Sequence, residues 1–246
     1  MQKNHSLLCG YSYAYQVGYK PQIFEKLEKL LLNANTEDFS DGLIKDAQNK
    51  DLIEQIIDSY GKLGFLFYSL DRIKKLKTEK MDSYPIVYYY AYNFIYDCKA
   101  FLDAIAVLSN NQFNIGASGG DIDFHDGSFQ KKIIEKKPEL CETIRKYTKW
   151  FNDVVKWRIA LIHKYSTPIC CPGKQMIWYM NRDELDQYTI DFMVMIPEPQ
   201  PYLSVDYTKK KKGEIWEYID NIFNGWIGNA CDFYEQICDV IATDLS

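Results

Sequence analysis

A chain of 246 residues with 47% hydrophobic and 26% charged side chains is long enough for one domain with a proper core, and its 15% aromatic content excludes a disordered chain. The formal charge of −5 does not mark a nucleic-acid binder, but the charge is uneven. Residues 131–164 hold ten Lys or Arg against four Asp or Glu, a local +6 that leaves −11 for the rest; the plain reading of such a run is a solvated helix face.

The first residues do not read as a secretory leader, because Lys20 and Pro21 interrupt any apolar run, and the uncharged stretch 84–96 is too short and tyrosine-rich to span a bilayer. Seven cysteines (Cys9, Cys98, Cys141, Cys170, Cys171, Cys231, Cys238) form an odd set without C-x-x-C spacing. They read as free thiols of a cytoplasmic protein, neither a disulfide frame nor a zinc site.

Pro21 suits the first turn of a helix whose apolar side is Ile23, Phe24, Leu27, Leu30 and Leu31, and the polar stretch 33–42 ends it. A short helix at 43–48 is the next candidate, and residues 1–50 together read as an N-terminal helical extension. The domain proper, 51–246, opens with a long amphipathic helix to about residue 80. Ile53, Ile56, Tyr60, Leu63, Phe67 and Leu70 repeat by threes and fours, despite Gly61 and Gly64, each of which costs about 1 kcal/mol against alanine. Arg72, Lys74, Lys75 and Lys77 stand at its far end, where the helix dipole favours cations.

Pro85 opens the second long helix, on Val87, Ala91, Phe94, Cys98, Phe101, Ile105 and Leu108. Asp97 and Asp103 are its carboxylates best placed to meet a cation from another helix; the competing reading leaves both in water. Tyr88, Tyr89, Tyr90 and Tyr92 have the rings to stack on bases, although packing is the simpler reading. Residues 110–130 read as a loop with Gly116, Gly119, Gly120 and Gly127, and loops of that length are usually functional or mobile. The run from Asp121 through Asp123 and Asp126 to Gly127 resembles a calcium loop only superficially. Its glycine comes one place late and Lys132 stands where the closing glutamate belongs, so no metal is expected.

The third long pattern, 139–166, repeats Ile144, Tyr147, Phe151, Val154 and Ile162 on one face, and Arg158 falls in that stripe. A guanidinium keeps its charge and is almost never buried without a partner, so Arg158 should meet Asp97, Asp103 or a phosphate from outside. His163 titrates near neutral pH, and Tyr165 returns to the arginine's face two turns on. A regular helix sets Arg158 and His163 about 140° apart, so they converge only if the helix loosens before Pro168 or a second chain contributes. Each residue also has a plain structural reading: surface or core ion pair for Arg158, helix-end cap for His163, packing for Tyr165.

Beyond Thr167-Pro168 and Cys170-Cys171-Pro172-Gly173 the period changes from 3.6 to 2. Residues 175–180 and 189–196 read as strands, with Leu203, Val205 and Tyr207 a third, which makes a β-hairpin or three-stranded insertion at about 175–207. The last helix, about 214–242, rests on Ile219, Ile222, Trp226, Ala230, Phe233, Ile237 and Ile241, and Gly225 and Gly228 point to a close helix crossing or a bend.

An all-α order of this kind, with Arg158-Ile-Ala-Leu-Ile-His163 late on the third long helix and His163-Lys164-Tyr165 completing R-x4-H-x-Y, resembles the HEPN superfamily (higher eukaryote and prokaryote nucleotide-binding) over residues 51–246. The resemblance implies a HEPN-like antiparallel helix bundle and a metal-independent endoribonuclease, often a toxin or antiviral-defence effector, that cuts single-stranded RNA without a cofactor. Arg158 and His163 would be catalytic. Tyr165 would line the site or be nucleotidylated by an antitoxin partner, and the site would lie across a homodimer interface, away from any membrane. One chain offers one suitable histidine, and pairing supplies two; Tyr147, Trp150 and Trp157 are the aromatic face offered to the partner. The family usually has a polar residue after the arginine, and this chain has Ile159. That departure favours the second reading, a catalytically silent HEPN-like module binding a nucleotide or a protein.

Overall fold

A computed structural model of the chain describes residues 14, 16–19, 47–78, 84–159, 169–170, 193–195 and 216–244, and these are mostly helical. The helices are α1 (Ala47–Thr78), α2 (Tyr84–Gln112), α3 (Gly127–Lys136), α4 (Cys141–Ile159) and α5 (Ile219–Asp244). The three-and-four spacing explains them. On α2 every residue of the expected stripe from Val87 to Leu108 is buried, and on α1 Leu52, Ile56, Tyr60, Leu63, Leu66, Leu70, Ile73 and Leu76 form the buried face.

Contacts between helices fix their directions. Tyr60 stacks on Tyr234 while Lys74 reaches Asn224, so α1 and α5 run antiparallel. Thr143 donates to Gln236 and Trp157 meets Trp226, which sets α4 antiparallel to α5 as well. Phe94 lies flat on Phe223 (3.9 Å, 10°) and Phe101 against Tyr234, so α2 runs with α5 and against α1 and α4. The four long helices therefore alternate in direction, as in an up-down bundle. One end gathers the C-terminal turns of α1 and α4 with the N-terminal halves of α2 and α5.

The stretch expected as one loop is shorter and firmly seated. Asp126 caps α3, its side chain accepting from the Ser128 amide at 2.6 Å, so residues 127–130 are helical. That hydrogen bond also holds the Asp126 carboxyl below its ordinary range. Gly116 and Gly119 take positive φ where the chain turns back. Phe124 then inserts among Phe129, Phe151 and Phe233, a burial that contributes about 1.5–3 kcal/mol. Nearby, the buried ammonium of Lys99 binds both Asp103 and Asp123, the latter at 3.2 Å.

The described residues before position 20 pack on the bundle. Tyr19 stacks on Tyr60, tilts against Phe67 and donates to the Cys231 carbonyl at 3.1 Å; the Tyr60 hydroxyl donates to the Tyr19 carbonyl, and Ala14 is buried. The helix expected after Pro21 lies outside the described residues, as do residues 43–46; α1 already begins at Ala47.

Three short strands are described: β1 (Ile169–Cys170), β2 (Met193–Met195) and β3 (Trp216–Tyr218), antiparallel in the order β1-β2-β3. A hairpin inside 175–207 is not supported. Only β2 falls in that range, and its partners flank it, with Ile169 opposite Val194 and Met193 opposite Tyr218. Alternation marks a strand but not its mate, which is why the expected bounds differ. The strands expected at 175–180 and 203–207 lie outside the described residues. The last helix starts at Ile219 rather than 214, because Trp216–Tyr218 is extended and paired. Gly225 and Gly228 mark no close crossing either: both are exposed, and a Cβ built on them meets nothing within 4 Å.

Candidate functional site

Of Arg158, His163 and Tyr165, the described structure contains Arg158; the other two lie outside the described residues. α4 buries Thr143, Ile144, Tyr147, Trp150, Phe151, Val154 and Trp157. Arg158 continues the azimuth of Phe151 and Val154, yet it is exposed. The covered layer ends at Trp157, whose ring meets Trp226 edge to face, and the long arginine side chain beyond it reaches water. The expectation of a buried stripe position is thus corrected at this residue.

Its expected carboxylates are elsewhere. Asp103 pairs with Lys99, four residues back on α2. Asp97 makes no ion pair with Arg158, and burial pushes its carboxyl up to about 7, the opposite of what a guanidinium alongside would do. Neither aspartate meets Arg158. Ile159, next to it, is 43% exposed.

Much of the positive run is neutralised locally. Arg145 lies 3.6 Å from Glu142, Lys146 3.7 Å from Asp232, Lys149 3.9 Å from Asp153, Lys131 3.8 Å from Glu135, and Lys137 2.6 Å from Asp244. Such exposed pairs contribute little stability; among the described residues of the run, Lys132, Lys136, Lys156 and Arg158 have no carboxylate in ion-pair reach, and Lys156 and Arg158 stand together at the late end of α4. The aromatic residues expected to face a second chain are in the core of this one: Tyr147, Trp150 and Trp157 are each at most 4% exposed. A two-fold interface would need another surface.

Cys98, Cys141, Cys231 and Cys238 are free thiols. Three of them make poor nucleophiles, because burial pushes Cys98 and Cys238 up and Cys231 to about 12. A groove of about 770 Å³ lies between α1 and α2, lined by Asp51, Glu54, Asp58, Lys62 and Asp103 among others. It sits at the opposite end of the bundle from Arg158, and its acidic wall repels phosphates, so it is not a continuation of the arginine's site.

Two features were not read from the sequence. Lys99 as a buried cation depends on Asp123, which the loop brings back across the bundle. The tyrosines of α2 are joined by Tyr68 and Arg72 of α1: Tyr68 and Tyr90 meet edge to face at 6.1 Å, and the Arg72 guanidinium lies 5.8 Å from the Tyr90 centroid. The cationic end of α1 was the visible signal for this group.

Among the described residues no helix is long and apolar enough to cross a membrane. Comparison with protein-family models, curated proteins and solved structures gave no match.

Proposed function

We propose that the chain is a HEPN-like helical protein that cleaves single-stranded RNA without a metal ion, with Arg158 and His163 carrying the chemistry. The observation that supports this reading is the state of Arg158: exposed in the last turn of α4, held in place by the buried Trp157 beside it, and bound to no carboxylate among the described residues. A guanidinium in that setting is available to a phosphate.

The reaction follows from the groups. The ribose 2′-hydroxyl attacks the adjacent phosphorus, its proton goes to one imidazole, and the leaving 5′-oxygen takes a proton from another. Histidine suits either transfer, typically worth 10²–10⁴ in rate. Arg158 offers two parallel hydrogen bonds to the non-bridging oxygens as charge builds there. The second imidazole is His163 of a second copy, and Tyr165 lines the site. Purified protein is expected to cut single-stranded RNA in excess EDTA, leave DNA intact and yield 2′,3′-cyclic phosphate ends. His163→Ala is expected to lose at least about 10² in rate. Arg158→Lys is also expected to be poor, because a point charge does not reproduce the two-pronged contact. Sedimentation at tens of micromolar should show a dimer.

The exposed Ile159 favours the second reading, a catalytically silent module that binds a nucleotide or a protein partner. Wild-type protein that leaves varied RNAs whole, or an Arg158/His163 double variant that still cuts them, moves the conclusion there.

A further inference from the structure

The geometry points to a stacking platform for single-stranded RNA on the exposed tyrosines of α1 and α2, at the end of the bundle that carries Arg158. Three observations meet there. First, the rings are available: Tyr89 is 61% exposed and Tyr68 40%, far above the buried tyrosines of the core such as Tyr60 and Tyr234. They are also organised. Tyr90 stands between them, 5.2 Å from Tyr89 and 6.1 Å from Tyr68, edge to face with both. Tyrosine, with only two side-chain torsions to order, stacks on a base at low entropic cost.

Second, the charge is complementary. Residues 68–76 carry Arg72, Lys74 and Lys75 against Asp71, a local +2 on a chain whose net charge is −5. Arg72 lies against Tyr90; Lys75 is tied to Asp71 at 2.8 Å, and the exposed Lys74 reaches Asn224 of α5 at 3.1 Å. Aromatic faces interleaved with cations form the arrangement by which proteins hold single strands without reading their sequence.

Third, the platform is placed to serve the site. Phe94, one turn after Tyr90 on α2, touches Trp226, and Trp226 touches Trp157, the residue before Arg158. Summed along these buried contacts, Tyr90 and Trp157 are on the order of 20 Å apart, a separation comparable to the length of a few nucleotides. This inference rests on the RNA reading for its ligand, but it concerns binding rather than cleavage, so the two fail separately.

The test measures binding of a fluorescein-labelled single-stranded 12-mer RNA, the DNA of the same sequence and the blunt RNA duplex, all in a His163→Ala background that prevents turnover. The Tyr68→Ala/Tyr89→Ala double variant is expected to weaken single-strand binding about tenfold or more, and Tyr68→Phe/Tyr89→Phe to restore most of it, since the ring and not the hydroxyl stacks. The DNA strand should bind comparably and the duplex much more weakly, because its bases are covered. Unaltered helix content in the alanine variant separates lost contact from lost folding. Equal affinity of parent and alanine variant, or duplex bound as well as single strand, overturns the platform whether or not the protein cleaves RNA. Tyrosine-dependent binding by a protein that never cuts RNA keeps the platform and removes the nuclease.

Discussion

Trp157 of α4 meets Trp226 of α5 edge to face, ring centroids 5.6 Å apart and planes at 75°. Trp226 in turn leans on Phe94 and Phe223, so the last covered turn of α4 is tied to both α2 and α5. Trp157 is 3% exposed, and its truncation leaves a cavity that its ring-shaped neighbours cannot easily fill. Trp157→Ala is expected to destabilise the protein by about 3–5 kcal/mol, and Trp157→Phe by distinctly less. Urea unfolding measures both. A loss for the alanine variant within the range of ordinary surface substitutions would remove Trp157 as the anchor of Arg158.

How far this was legible in the sequence depends on distance along the chain. The stripes of α1 and α2 were readable because each is a local period, set by 3.6 residues per turn and by the need of one face to be buried. Arg158 was misplaced by the same rule: its azimuth fits the stripe, but periodicity says nothing about where the covering helices end. Trp150 and Trp157 were offered to a second chain because a single sequence cannot show which aromatic residues its own bundle consumes. Helix α3 was missed although its signals were present, with Asp126 as cap and Phe129 and Ile133 four apart. The pairing of β2 with segments on either side of the expected insertion is a long-range choice that alternation does not encode.

Lys99 shows what a long-range pair does. Its ammonium is buried, and it joins Asp103 on its own helix to Asp123 on the loop that leads into α3. Lys99→Met removes the cation while keeping most of the stem's packing. Asp103 and Asp123 both retain access to water, so the cost is expected at about 1–3 kcal/mol rather than that of a stranded buried charge. Hydrogen exchange should locate the effect: amides of residues 113–126 should exchange faster, and those in the middle of α2 should not. Unchanged exchange in the loop would leave Phe124 as its sufficient anchor.

Gly225 and Gly228 are mid-helix glycines with open space around them. Alanine there adds no clash and lowers the entropy of the unfolded chain. Each Gly→Ala substitution is expected to stabilise the protein by roughly 1 kcal/mol, and the pair by nearly the sum. Thermal or urea unfolding of the double variant gives the answer. Destabilisation would mean that this face of α5 is covered in the assembled protein, and would direct the search for a partner surface to it.

Asp97 carries the clearest pH signature. Burial holds its carboxyl protonated up to about 7 in the folded chain, whereas in an unfolded chain an aspartate ionises near about 3.9. A folded value raised above the unfolded one contributes stability that is fully present below the lower value and is lost as the pH rises through the upper one. Asp97 should therefore weaken the fold progressively from about pH 4 to about pH 7 and add no further change above that. Asp97→Asn keeps the size and cannot ionise. It is expected to unfold at higher urea than the parent at pH 8, with the gap shrinking steadily as the pH is lowered toward 4.5. A gap that stays constant with pH would show a carboxylate free in water. A gap that reverses, with the parent more stable at pH 8, would show a cation beside Asp97 in solution, and Arg158 would again be the first residue to test as that cation.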